Sequence, residues 1–272
     1  MTDTHLHPLD AATSLTPLAP NIYQGKTDPR YAHRIGPFGG ITAATLLKSV
    51  MVHPGRQGEP IALTVNYAQP ISDEPYVIEA LPVRTNRSTQ HWNVVLTQGD
   101  TVAATASAVL AVRRETWSST EAVFPQVAPA NELAQLSSPD APTWFANYDV
   151  RIARGMPLDT SQPMADKDSI TTLWVRDEPA RPLDFVALAC ICDVFVPRVM
   201  VRRPVRVPAG TVSLTTYFHA DAAQLTACGT DHLLGTASAS HFGMGYHDQT
   251  AQVWSPHRQL LATTHQIVYF KE

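Results

Sequence analysis

The chain of 272 residues holds only three cysteines, Cys190, Cys192 and Cys228. An odd count argues against a disulfide framework, and two of the three lie inside an apolar run, so reduced structural thiols in a cytoplasmic protein are expected. No stretch approaches the roughly 18 to 20 apolar residues that a membrane-spanning helix needs. The opening residues Met1-Thr2-Asp3-Thr4-His5-Leu6-His7 have neither the basic region nor the apolar centre of a signal peptide. Basic excess is lacking too. With 20 Lys and Arg against 24 Asp and Glu, the net charge of −4 gives no electrostatic case for nucleic acid or an anionic membrane surface.

Several chemical signatures are also missing. The 11 histidines are scattered without the short ligand spacings of zinc sites, so no metal is expected. There is no G-x-S-x-G elbow for a serine nucleophile and no glycine-rich loop to cradle phosphate.

What is present is a globular chain, 44% apolar and 16% charged, long enough for one large domain or two ordinary ones. Two helical signals stand among many strands. One follows Gly36-Pro37-Phe38-Gly39-Gly40 and covers Ile41 to about Val50; the other is the run Leu183–Val196, apolar on nearly every side. Pro182 suits the first position of that second helix, and Pro197 stops or kinks it near Val196. Asp193 lies inside the run, where an ionised carboxylate is costly unless hydrogen-bonded or used. Strand signals fall at Ile61–Tyr67, Tyr76–Arg84, His91–Thr97 and Thr101–Val112. They return at Thr211–Phe218, Gln224–Cys228, Leu234–Met244, Ala251–Trp254 and Leu260–Phe270. Glu115–Pro142, rich in Ser, Pro, Ala and Glu, reads as a linker with room for short helical pieces.

The two halves repeat one another. Pro37 and its helix align with Pro182 and its helix, Leu63–Tyr67 with Leu214–Phe218, and Val102–Ala106 with Leu260–Thr264. Each half reads as a helix followed by an antiparallel meander, and a sheet curled around one apolar helix buries both. The same alignments set Lys48 opposite Asp193, Pro60 opposite Thr211 and Ala108 opposite Gln266.

Four segments carry a resemblance: Phe38-Gly39-Gly40, Val83-Arg84-Thr85-Asn86-Arg87-Ser88-Thr89, Gly210-Thr211 followed by Tyr217-Phe218-His219, and Leu261-Ala262-Thr263-Thr264-His265-Gln266. In this order they resemble the double hot-dog acyl-CoA thioesterases of type II, the medium-chain acyl-CoA hydrolase-like family. Asn86 stands where that pattern has Gly, Ile41 where it has Gln, and Ala220-Asp221 where it often has Arg-Pro. The resemblance implies an α+β tandem hot-dog, each half an antiparallel sheet wrapped around one central apolar helix. The N-terminal unit would span 1–114, a linker 115–145, and a C-terminal unit carrying the catalytic residues 146–272. It further implies hydrolysis of an acyl-CoA thioester to free acid and CoA, without cofactor, in chains that can form homo-oligomers. By position its catalytic Asp, Thr and Gln fall on Asp193, Thr211 and Gln266.

Each residue also has a plainer explanation. Asp193 would serve equally as a buried cap, and Thr211 is an ordinary strand residue. Gln266 alternates with Ala262, Thr264, Val268 and Phe270, so it faces either the core or solvent from an edge. Gly39 and Gly40 make a tight turn, or else present helix N-terminal amides to substrate as its carbonyl gains charge. Two other functions compete with hydrolysis: a non-catalytic acyl-CoA or lipid-binding protein, and a hydratase or dehydratase of the same fold, whose chemistry wants a His beside the Asp.

Overall fold

A computed structural model describes residues 6–137, 141–155, 168–203 and 207–272. The first half supplies α1 (Pro8–Ala12), β1 (Thr16–Ala19), β2 (Ile22–Gly25), α2 (Gly39–Met51), β3 (Glu59–Tyr67), β4 (Tyr76–Thr85), β5 (Thr89–Gln98) and β6 (Thr101–Ala111). The second supplies β7 (Tyr148–Arg154), β8 (Thr171–Asp177), α3 (Phe185–Ile191), α4 (Arg198–Arg202), β9 (Ala209–Phe218) and α5 (Ala222–Ala227). It ends with β10 (Leu233–Ser238), β11 (Phe242–Gly243), β12 (Tyr246–Trp254) and β13 (Leu260–Phe270).

These strands form one sheet in the order β1-β2-β4-β5-β6-β3-β9-β13-β12-β10-β8-β7, with β11 beside β12. The halves meet where β3 pairs antiparallel with β9, and Thr64 lies opposite Thr215. Ala62 faces Tyr217 and Asn66 faces Ser213, so the register is symmetric about that pair. The equivalences read from the sequence follow directly: Leu63 with Leu214, Tyr67 with Phe218, Pro60 with Thr211. The inner face wraps α2 and α3, which pack against each other, and one continuous apolar core runs through both halves. This is the α+β double hot-dog.

Nearly every side chain of α2 is buried, including three hydroxyls. Thr45 donates to the Ile41 carbonyl at 2.8 Å and Ser49 to the Leu46 carbonyl at 2.7 Å, so these polar atoms enter the core already satisfied. Among its described residues, the Glu115–Pro142 stretch carries no strand. Phe124 and Val127 pack on Trp174, Leu234 and Trp254 of the outer sheet face, and the Trp174 indole N–H donates to the Ala128 carbonyl at 2.9 Å.

Three expectations need correction. The second central helix is shorter than its apolar run: it begins at Phe185, not at Pro182, because Asp184 caps it by accepting from the Ala187 N–H at 2.8 Å. It ends at Ile191, where Asp193 N–H and Val194 N–H turn back to the Cys190 and Ile191 carbonyls at 3.2 Å each. Asp193 therefore sits in the turn after the helix rather than within it, and Pro197 caps α4 instead of ending α3. Gln224–Cys228 lies in a helix, not a strand: Asp221 and Gln224 form a reciprocal capping box that outweighs the local β pattern. The strand expected over Leu234–Met244 breaks after Ser238, because Asp248 accepts from the Ser240 and His241 amides and bends the chain. Strands β1 and β2 at one edge of the sheet, and β7 and β8 at the other, lie outside the strands expected from the sequence.

Candidate active site

Asp193 is carried to the seam between the halves by α3, and only 9% of it remains exposed. Facing it from the first half is the start of α2. Its Oδ2 lies 2.6 Å from where a Gly39 Cβ would stand, so any side chain there would displace the carboxylate. A Cβ on Gly40 would meet the Cys190 carbonyl and the Phe38 ring, each at 2.5 Å. The paired glycines thus permit close approach of two backbones, and the Gly40 N–H lies near enough to the Asp193 carboxylate to favour its charged form. A helix N-terminus has amides to spare and a positive end that favours an anion.

The second partner arrives from β13. Gln266, 2% exposed, faces the core with Ala262, Thr264 and Val268, which resolves the two orientations open from sequence. Its Nε2 donates to Asp193 Oδ1 at 2.9 Å, and its Oε1 accepts from Thr211 Oγ1 at 3.3 Å.

Thr211 reaches that amide because β9 is irregular. Leu214, Thr216 and Phe218 point inward, and strict alternation would turn Thr211 outward with Ser213 and Thr215. The register instead steps from Ser213–Ile267 to Thr211–Val268. Val212 bulges out to solvent, and Thr211 comes onto the inner face beside Gln266. In the first half β3 carries the same bulge, at Ile61, and there Pro60 occupies the inward position. Across that half, Ala108 lies opposite Leu63 just as Gln266 lies opposite Leu214.

Burial pushes Asp193 up to about 7, while the donors Gln266 and Gly40 pull the other way. A carboxylate held there is ionised to a useful extent at neutral pH and is basic enough to accept a proton. The thiols of Cys190 and Cys192 are driven up by burial and stay neutral. One contact lay beyond sequence reasoning: the Tyr67 hydroxyl, at the end of β3, donates to the Gly39 carbonyl at 2.9 Å. Its only trace in the sequence is a tyrosine closing the apolar run Ile61–Tyr67. Among the described residues, no helix is long and apolar enough to cross a membrane, and no group of three His, Cys, Asp or Glu side chains gathers to hold a metal ion.

The acyl-CoA thioesterase C-terminal domain matches residues 124–270, and the acyl-CoA thioesterase N-terminal domain matches residues 27–111. The chain belongs to the acyl-CoA thioesterase family. This thioesterase is 48% identical to a conserved protein of unknown function with hot-dog fold from Alicyclobacillus acidocaldarius, covering 98% of both chains with a TM-score of 0.93. A putative thioesterase II from Thermobifida fusca shares the fold at 18% identity, over 97% of each chain, with a TM-score of 0.82. An acyl-CoA thioesterase II, TesB2, from Mycobacterium marinum does so at 20% identity over 97% of this chain and 98% of its own, with a TM-score of 0.76. No curated protein matches the sequence significantly.

Proposed function

We propose that this thioesterase hydrolyses acyl-CoA to a free carboxylic acid and CoA with a water activated by Asp193 and positioned by Thr211 and Gln266. The observation that carries the proposal is the hydrogen-bonded run Thr211–Gln266–Asp193 at the seam between the halves. Holding one water among several fixed polar groups removes much of the entropic cost of attack. Asp193 takes a proton from that water as its oxygen bonds to the thioester carbon. The tetrahedral intermediate then collapses, the C–S bond breaks, and the protonated Asp193 returns its proton to the departing CoA sulfur.

The acyl oxygen gains charge as the intermediate forms, and the positive N-terminal end of α2, at Gly39 and Gly40, is the feature suited to receive it. The Gly40 N–H also favours the Asp193 anion, so the acyl oxygen must share that amide with the carboxylate. Asp193 accepts from the Gln266 amide rather than from a histidine, which disfavours hydration or dehydration by a His–Asp pair.

The test is a panel of acyl-CoAs from acetyl to palmitoyl, with aromatic acyl groups included, scored for free thiol. Release from at least one member, abolished in Asp193→Asn, supports the proposal. A panel that yields no thiol above background overturns it.

A further inference from the structure

The hydroxyl of Tyr67 and the carboxylate of Asp193 flank Gly39 from opposite halves of the chain. A Cβ built on Gly39 would stand 2.6 Å from Asp193 Oδ2 and 3.5 Å from the Tyr67 oxygen. Tyr67 donates to the Gly39 carbonyl at 2.9 Å. That carbonyl and the Gly40 N–H are the two ends of one peptide group, and this N–H is the one that favours the charged form of Asp193. Hydrogen bonds in series polarise one another, so a peptide drawn on at its oxygen becomes a better donor at its nitrogen.

We propose that Tyr67 is a positioning residue of this thioesterase, which through the Gly39–Gly40 peptide holds the Asp193 carboxylate in place and favours its ionised form. The role rests on Asp193 acting as the base. The polar groups follow in sequence: Tyr67 donates to the peptide, the peptide N–H favours the Asp193 anion, and from the other side Thr211 donates to Gln266 and Gln266 to Asp193. Both flanks of the carboxylate are thereby fixed, one by each half of the chain.

Two further observations fit this role better than simple packing. At the position equivalent to Tyr67 the second half has Phe218, whose ring packs edge-on against Phe185 with centroids 5.8 Å apart. An aromatic ring therefore suffices for the fold at that place, and the hydroxyl is found only where a carboxylate lies beyond the peptide. Burial and the negative charge of Asp193 also raise Tyr67 well above an ordinary phenol. It remains a donor over the whole working range. The other titratable groups facing Asp193, Cys190 and Cys192, are neutral over that range, so the carboxylate has no competing charge from α3.

The experiment compares pH profiles of kcat and kcat/KM for wild type, Tyr67→Phe, Asp193→Asn and the double variant, on an acyl-CoA the wild type turns over. Tyr67→Phe removes one oxygen and should lower kcat about tenfold while KM stays within about twofold, because a donor to the ground-state substrate is not lost. The acid limb should move up by roughly half a pH unit or more as the carboxylate loses support. In the Asp193→Asn background the same change should alter turnover by less than about twofold, since the two residues act as one unit. An unmoved acid limb, or an equal loss in both backgrounds, overturns the relay. So does loss of fold by circular dichroism, which would assign the hydroxyl to structure alone. Were Asp193→Asn itself to keep wild-type turnover, the base would be misassigned and the relay would fall with it; an essential Asp193 with an unmoved limb removes the relay only.

Discussion

Thr64 and Thr215 meet hydroxyl to hydroxyl at 3.0 Å, on the pseudo-two-fold axis that relates the halves. Around that axis the backbone repeats, bulge included, but the chemistry does not. Thr211 is matched by Pro60 and Gln266 by Ala108, so the mirrored location has neither hydroxyl nor amide. Titration with a non-hydrolysable acyl-CoA analogue should therefore give one equivalent bound per chain. Two sites of equal affinity would contradict the asymmetry.

Asp193→Asn keeps the shape of the side chain and removes its basicity. Turnover should fall by about 100-fold or more, the range for loss of a positioned general base, with far-ultraviolet circular dichroism unchanged. In the wild type, kcat/KM should rise with pH through an acid limb centred near 7, where burial places this carboxylate. Near wild-type rates in a folded Asn variant would remove Asp193 from the mechanism.

Stability should carry the same signature with a defined sign. Asp193 and Asp177 are both raised by burial to about 7, against about 3.9 for an unfolded aspartate. Between those values the native state binds more protons than the unfolded chain. Each group's contribution is thus complete below about pH 4 and is lost as pH rises through about 7. The melting temperature of Asp193→Asn, taken relative to wild type, should be higher near pH 8 than near pH 5. Equal gaps at both pH values would rule out a burial cost of ionisation.

Thr211→Val and Gln266→Ala should each lower kcat more than they raise KM, because they hold water rather than acyl-CoA. Combined with each other or with Asp193→Asn, the losses should be less than additive in free energy. Strict additivity across the double variants would mean that three separate functions, not one bound water, had been disturbed.

Gly39→Ala places a methyl where Asp193 Oδ2 now lies, at 2.6 Å. The carboxylate must move, and a displacement of that kind should reduce turnover about tenfold or more with only a modest change in melting temperature. Wild-type kinetics in this variant would show that the carboxylate has room to spare.

Much of this was legible in the sequence because hydrophobic period and repeat act over long stretches. The central helix after Phe38 and strand β13 were placed to within two residues. Single side chains were harder. Asp193 looked like a helix-interior acid because the apolar run continues past it; what ends the helix is a local i−3 turn that leaves no periodic trace. Thr211 was identified only through resemblance, since alternation along β9 turns it away from the core until Val212 bulges. Tyr67 was invisible, because its importance lies in a peptide bond far along the chain. Gln224–Cys228 misled for the opposite reason: two polar residues at a helix start outweigh a β-like run.

Joining the halves through β3 and β9 within a single chain has a consequence for how the enzyme can vary. An assembly of two identical subunits must carry every substitution twice, once on each side of its axis. Here each side is encoded separately. Phe218 can keep a plain ring while Tyr67 bears a hydroxyl, and Pro60 can stiffen one bulge while Thr211 works in the other. The linkage also makes the encounter of the two sides intramolecular, so the seam forms independently of protein concentration. One pole of the molecule is free to specialise in chemistry because the other has been released from it.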